Sequence, residues 1–320
     1  MNTETISTAI AGDAVKGLCS MPKYLLPKYF YDEKGSAIFQ DIMKMPEYYL
    51  TACEMEIFDK QNKQICHSFL QTSSSFDLIE LGSGDGLKTR ILLNSLVKSD
   101  PGIRYIPVDI SEDANKGLIS KLALEIPGLS VEPLTGDFFR LEKQISETAG
   151  KRKVILFLGS NIGNFTDTEL KDFLVLLAGT CSSGDRVLTG FDLKKSPQVI
   201  MKAYNDPYGH TRRFNLNHLV RLNRELEADF NTVNFEHHTT YNPVSGEVKS
   251  YLVSLKEQTV NFGSGGHSFS FGKWEPIFME RSRKFDFETI ENLADHHGFK
   301  VLNHFTDSKN WFTDSLWEKL

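Results

Sequence analysis

The sequence predicts an α/β protein, a mostly parallel sheet with helices on both faces, into which a second, α+β unit is inserted. Three observations carry this reading. Between residues 76 and 191, short apolar runs of strand length alternate with segments whose apolar residues recur at helical spacing, the pattern of repeated βα units. After Asp192 that texture gives way to one helical stretch and period-two segments broken by glycines, as in antiparallel β structure. From residue 287 the α/β texture returns, so the second unit interrupts the sheet before its last elements.

The elements follow in order. A first strand is expected at 76–81 (FDLIEL), stopping at Gly82, and a helix over 88–98 (KTRILLNSLVK). A second strand covers 105–110 (YIPVDI), with its helix over 112–125 ending before Pro127. A third strand is expected at 129–133, a fourth at 154–158 with a helix over 166–177, and a fifth at 186–191. In the inserted part, 215–229 reads as a helix and 249–255 (KSYLVSL) alternates, until Gly263, Gly265 and Gly266 break the pattern. A helix over 287–297 stopped by Gly298, a strand over 300–306 and a final segment over 311–317 close the chain.

Bulk composition excludes whole classes of function. Thirty-six basic against 42 acidic residues leave a formal charge of −6, the opposite of the basic footprint of a nucleic-acid binder. Forty per cent hydrophobic and 24% charged residues are globular values, and 320 residues can bury one large core or two modest ones. Cys19, Cys53, Cys66 and Cys181 form no C-x-x-C pair, so scattered reduced thiols are expected. The paired histidines at 237–238 and 296–297 lack a third ligand at metal spacing, and no metal is expected. The N-terminus lacks a basic stretch followed by an apolar run, and the apolar run 154–158 is far too short to cross a bilayer. The expectation is a cytoplasmic protein without nucleic-acid or membrane partners, and a monomer, since no heptad or apolar patch stands out.

The sharpest local motif is Glu80-Leu81-Gly82-Ser83-Gly84-Asp85-Gly86, between a strand and a helix. Glycines there let the backbone approach a ligand at the helix N-terminus. Asp109 ends the next strand, where a carboxylate can accept both hydroxyls of a ribose. Gly136-Asp137-Phe138 follows the third strand and offers a carboxylate and a ring edge to an adenine. Glu80 and Asp85 would repel a pyrophosphate, whereas a cofactor bearing a sulfonium and an ammonium would be attracted. That favours S-adenosylmethionine, with a dinucleotide as the alternative, because strand–glycine–helix geometry is common to both.

Several longer blocks carry a resemblance. LPKYFYDEKGS at 26–36, PEYY at 46–49, ELGSG at 80–84, FLGSNIGN at 157–164 and NRELEADF at 223–230 together resemble the histidine-specific N-alpha-methyltransferase family of the ergothioneine pathway. They occur in order through nearly the whole chain. The resemblance implies a Rossmann-like methyltransferase domain, here 60–194 with 284–320, and a substrate-binding domain made of 1–59 with 195–283. It implies three methyl transfers from S-adenosylmethionine to the alpha-amine of L-histidine, giving hercynine, with mono- and dimethylhistidine as intermediates.

Matched by motif, the cofactor positions are Gly82, Lys88, Asp109, Asp137 and Phe138. The substrate positions are Tyr48, Gly159, Asn164, Tyr204 in AYNDP, and Glu280 and Ser282 in MERSRKF. The resemblance implies that Asn164 and Tyr204 hold the substrate carboxylate, that Tyr48 and Asn164 lie near its amine, and that Glu280 and Ser282 hold the imidazole. An alpha-amine is mostly protonated near neutral pH, so a neighbour such as Tyr48 or Tyr31 is a candidate proton acceptor, as is water. Taken singly, each position has an ordinary reading: Tyr48 and Tyr204 as packing residues, Asn164 as a turn, Glu280 as one face of a solvated strand. Only their joint occurrence makes them a site. Two departures bear on specificity: Leu50-Thr51-Ala52 stands where the family often has Pro-Thr-Arg, and Ser250 where it carries a larger apolar residue. An N-methyltransferase for another amino acid or a tryptophan-derived amine, and a non-catalytic amino-acid-binding homologue, are the rival readings.

Overall fold

The computed structural model describes residues 3–71, 75–99, 102–141, 143–145, 152–263 and 265–320. Its strands, in chain order, are β1 (Lys23–Tyr24), β2 (Phe76–Leu81), β3 (Arg104–Asp109), β4 (Ser130–Val131), β5 (Leu134–Thr135), β6 (Arg152–Phe157), β7 (Arg186–Asp192), β8 (Phe235–Asn242), β9 (Glu247–Ser254), β10 (Gln258–Asn261), β11 (Ser268–Phe271), β12 (Pro276–Arg283), β13 (Phe299–Thr306) and β14 (Phe312–Lys319). They make a large sheet in the order β13-β14-β7-β6-β2-β3-β4, with β5 also paired to β3, a four-stranded sheet β1-β12-β9-β8, and the pair β10-β11. In the large sheet β2, β3, β6 and β7 run parallel, while β14 is antiparallel to both β7 and β13.

The chain forms two compact units, 1–49 with 195–283 and 50–194 with 284–320. The first boundary lies ten residues before the expected 59/60, and the physical reason is one continuous helix, Tyr49–Leu70. Its side chains belong with the large sheet: Glu54 accepts from the Gly159 N–H at 2.7 Å and Gln61 donates to the Thr306 carbonyl at 2.8 Å.

In the larger unit, every residue of β2 and β7 is buried, as a parallel strand covered on both faces must be. Ile79, Ile155, Phe157, Phe173, Phe191 and Trp317 belong to its core. The helix after β6, Asp167–Thr180, starts with a complete capping box: Thr166 Oγ1 accepts from Glu169 N–H and Glu169 returns the bond to Thr166 N–H. One expectation needs correction. The third strand is two short pieces, β4 and β5, because only residues 130–131 and 134–135 find partners on β3. The final segment is a full strand, β14, whose residues 312–317 are all buried between β13 and β7.

In the smaller unit, β8 and β9 alternate between buried and less buried positions, the pattern of a sheet with one covered face. The helix His210–Leu226 begins five residues before the expected 215. Its Phe214 packs on Phe30 with ring centroids 4.6 Å apart. β12 carries a bulge: Phe278 pairs with Tyr251 and Glu280 with Ser250, leaving Met279 as the extra residue. A bulge shifts the side-chain phase by one. Glu280 and Ser282 thereby share the face of Ile277 and of their partners Ser250 and Val248, where a regular strand would have presented Met279 and Arg281. Among the described residues no helix is long and apolar enough to cross a membrane.

Candidate active site

The turn after β2 is shaped for a ligand. Gly82, Gly84 and Gly86 have φ of +74°, +53° and +64°, a region in which side-chained residues are strained. A Cβ at Gly82 or Gly84 would meet no atom within 4 Å, so the backbone there faces open space, whereas at Gly86 it would lie 2.4 Å from Leu118. The first two glycines serve approach and the third serves packing. The turn is tied to the next strand: Gly82 N–H donates to the Val108 carbonyl at 2.8 Å and Gly84 N–H to Asp109 Oδ2 at 3.0 Å. Asp109 also accepts from Ser111 N–H at 2.9 Å, which fixes its carboxylate at the end of β3. Ser83 Oγ is buried with no hydrogen-bond partner among the described residues. Open glycines, an oriented strand-end carboxylate and an orphaned hydroxyl fit S-adenosylmethionine at this turn.

Asp137 accepts from Phe139 N–H at 3.1 Å and caps a short 3-10 turn, Phe138–Arg140. Phe138 stacks on Phe139 and meets Phe157 and Phe173 edge-on. Glu80 has a different place from the one its charge implied. It is buried, with its oxygens bonded by Thr89 Oγ1 at 2.5 Å and by the Tyr105 hydroxyl. Burial pushes it up to about 7, against the pull of those two donors. It anchors the helix Thr89–Ser99 to the sheet, and its charge toward a ligand is much weaker than an exposed carboxylate would give.

Gly159 and Asn164 flank a tight turn after β6 in the same unit. Gly159 and Ser160 both have left-handed φ, +76° and +58°. Ser160 is held there by its Oγ, which accepts from Asp192 N–H at 3.0 Å. Strain fixed by surrounding bonds is characteristic of a ligand-facing turn. Asn164 is half-buried at the end of the 3-10 turn Asn161–Asn164.

The substrate positions Tyr48, Tyr204, Glu280 and Ser282, and the proton-acceptor candidate Tyr31, belong to the smaller unit, which brings them together from four segments. Tyr204 closes the helix Pro197–Tyr204, and its hydroxyl donates to Ser282 Oγ at 2.9 Å. Its carbonyl accepts from Thr239 Oγ1 at 3.0 Å and lies 3.1 Å from His237 Nε2. The tyrosine is thus fixed at both ends. Tyr48 meets Tyr204 edge-on at 6.3 Å, Phe39 meets Tyr48 at 6.2 Å, and Tyr31 meets Phe39 at 5.5 Å. Tyr31 is 48% exposed, with its ring edge open and its hydroxyl turned toward Glu280; desolvation of that hydroxyl and then the charge of Glu280 push it above the ordinary phenol range. Tyr31 is therefore a neutral phenol that gives and takes hydrogen bonds, not a resident phenolate base.

Two contributors escaped the sequence reading. Phe39 joins the three tyrosines into one aromatic wall, and nothing in its local pattern separates it from a core residue. Glu54 carried a signal that could have been used. It lies at i+4 from Leu50 and i−4 from Phe58, so an acid occupies the buried stripe of a helix, where it is 1% exposed.

Comparison with known proteins places the whole chain in a family. The family model described as histidine-specific methyltransferase, SAM-dependent, matches residues 10–319. A histidine N-alpha-methyltransferase of Mycobacterium tuberculosis is 34% identical over 96% of this chain and 94% of its own length. Ergothioneine biosynthesis protein 1 of Schizosaccharomyces pombe is 29% identical over 90% of this chain, which corresponds to 37% of that longer protein. The N-methyltransferase dtpB of Aspergillus flavus is 25% identical over 97% of this chain and 88% of its own. The match over nearly the whole chain, with the glycine turn and the Tyr204–Ser282 pair in place, makes this protein a member of the S-adenosylmethionine-dependent, histidine-specific methyltransferase family.

Proposed function

We propose that this enzyme methylates the alpha-amine of L-histidine three times, forming hercynine for ergothioneine synthesis. The observation that carries the substrate assignment is the polar set Glu280, Ser282 and Tyr204, aimed by the β12 bulge and fixed by the 2.9 Å Tyr204–Ser282 bond. A carboxylate and a serine oriented by a tyrosine match the two nitrogens of an imidazole, one donating and one accepting. An indole or phenyl ring does not offer that pair of ring nitrogens, one donating and one accepting, and so forgoes part of this hydrogen bonding.

Gly82, Gly84, Lys88, Asp109, Asp137 and Phe138 are the residues that would hold S-adenosylmethionine, which when bound supplies a methyl group on a sulfonium. The chain's own task is to orient a neutral amine. Asn164 and Tyr48 are the groups assigned to the amine, and Asn164 and Tyr204 to the carboxylate. The wall of Tyr31, Phe39, Tyr48 and Tyr204 offers aromatic faces to the growing methylammonium, which suits mono- and dimethylhistidine as well as histidine. Tyr31, being neutral, serves as a hydrogen-bond partner, and the proton of the amine passes to Tyr48 or to water. We take the enzyme to be a cytoplasmic monomer, in keeping with its mild acidity.

Incubation with S-adenosylmethionine and each of the twenty amino acids tests the substrate assignment by mass spectrometry. Methylated histidine is the expected product. Methylated tryptophan or phenylalanine at comparable rate, or no product from any amino acid, overturns it.

A further inference from the structure

We propose that Glu54 is a positioning residue for the methyl donor: its single carboxylate neutralises Lys88 and holds the Gly159 N–H, so that the loops after β2 and β6 offer a sulfonium no net positive charge. The proposal rests on the cofactor reading above and adds a residue, and a reason, to it.

The geometry is specific. One oxygen of Glu54 pairs with Lys88 Nζ and the other accepts from Gly159 N–H at 2.7 Å. Both oxygens are used, as a buried carboxylate requires. The chain makes room for them with glycine. At Gly190 on β7 a Cβ would lie 2.7 Å from Glu54 Oε1, and at Gly159 it would lie 3.2 Å from Lys88 Nζ. The Gly159 N–H is thereby committed to Glu54, and that glycine serves a ligand through space and its other atoms.

The charges of the cluster are set by its members. Asp314 is wholly buried and faces Gly190 across the β14–β7 ladder. Burial, and then the neighbouring Glu54 carboxylate, raise its pKa well above the carboxylate range, so it is a neutral acid. Burial opposes the charge of Lys88, but the pull of Glu54 outweighs it and holds the ammonium protonated. The Lys88–Glu54 pair cancels, and neither Asp314 nor Glu80, the other acids facing Lys88, adds positive charge. Removing the Glu54 charge would leave an ammonium two residues after the glycine turn, where it repels a positively charged ligand.

This yields a contrast that general damage to the fold would not produce. S-adenosylmethionine carries the sulfonium charge and S-adenosylhomocysteine does not. Titration calorimetry of the wild type, Glu54→Gln and Glu54→Asp with each ligand measures the ratio of the two affinities, which does not depend on the fraction of folded protein. Glu54→Gln keeps an oxygen for the Gly159 N–H and loses only the charge. It is expected to weaken S-adenosylmethionine at least tenfold more than S-adenosylhomocysteine, while Glu54→Asp keeps the wild-type ratio. An unchanged ratio in Glu54→Gln, or the same shift in both variants, overturns the proposal. Failure of the wild type to bind either ligand would instead overturn the cofactor reading.

Discussion

Glu280 shows how much a single residue's role depends on context. In sequence it stands beside Arg281, Arg283 and Lys284 and reads as surface. The insertion of Met279 into β12 turns it onto the face that carries Ser250 and Val248. Glu280→Ala is expected to raise the dissociation constant of histidine about tenfold to a hundredfold, the equivalent of the roughly 1.5–3 kcal/mol of a hydrogen bond to a charged group. The affinity for S-adenosylmethionine should stay within about twofold on the same rule. Equal losses for both ligands in calorimetry would assign Glu280 a structural role. Glu80 yields a pH prediction. An ordinary glutamate titrates near 4.5, whereas burial raises this one to about 7, so the native state holds the proton more tightly than the unfolded chain. Its contribution to stability is full below pH 4.5 and is lost as the pH rises through about 7. The melting temperature of the wild type relative to Glu80→Gln should fall across that window, and a difference independent of pH would mean that Glu80 remains ionised.

At the scale of elements, the glycine turn and the strands around it were legible because their chemistry is local. An apolar run ending at Gly82, with glycines at every second position, has few other structures open to it. Gly82→Ala tests its purpose. No atom stands within 4 Å of the added methyl, so the stability cost is only the left-handed strain of about 1–2 kcal/mol, while the methyl fills the space that a ligand would use. A tenfold or greater loss of S-adenosylmethionine affinity is expected, with a modest drop in melting temperature. Retained affinity would show that the ligand passes elsewhere. The β12 bulge was not legible, since a one-residue phase shift leaves no mark in the alternation of PIFMERSR. Nor was the division of the expected third strand into β4 and β5, which is set by pairing with β3. The helix Tyr49–Leu70 has no place in the sequence expectation, and because it is continuous the boundary between the units falls at 49/50 where 59/60 was expected.

For the whole molecule, sequence texture located the inserted unit because parallel and antiparallel sheets bury their strands differently. β2 and β7 are buried along their full length, while β8 and β9 alternate. Charge was less informative. The formal −6 is a sum over the whole chain, but the chemistry rests on a few acidic groups in distinct states. Asp109 is oriented by backbone donors, Glu54 is paired with Lys88, Glu80 titrates near neutrality and Asp314 is neutral. No composition distinguishes these states, because burial and partners decide them. The central claim is that this arrangement carries one amine through three successive methylations. It is tested most directly by following the reaction of histidine with excess S-adenosylmethionine over time, with fragmentation mass spectrometry locating each methyl group. The account predicts mono- and dimethyl intermediates converging on a single trimethyl product, with all three groups on the alpha-nitrogen. A reaction that stops at one methyl group, or that places methyl groups on the imidazole, would contradict it.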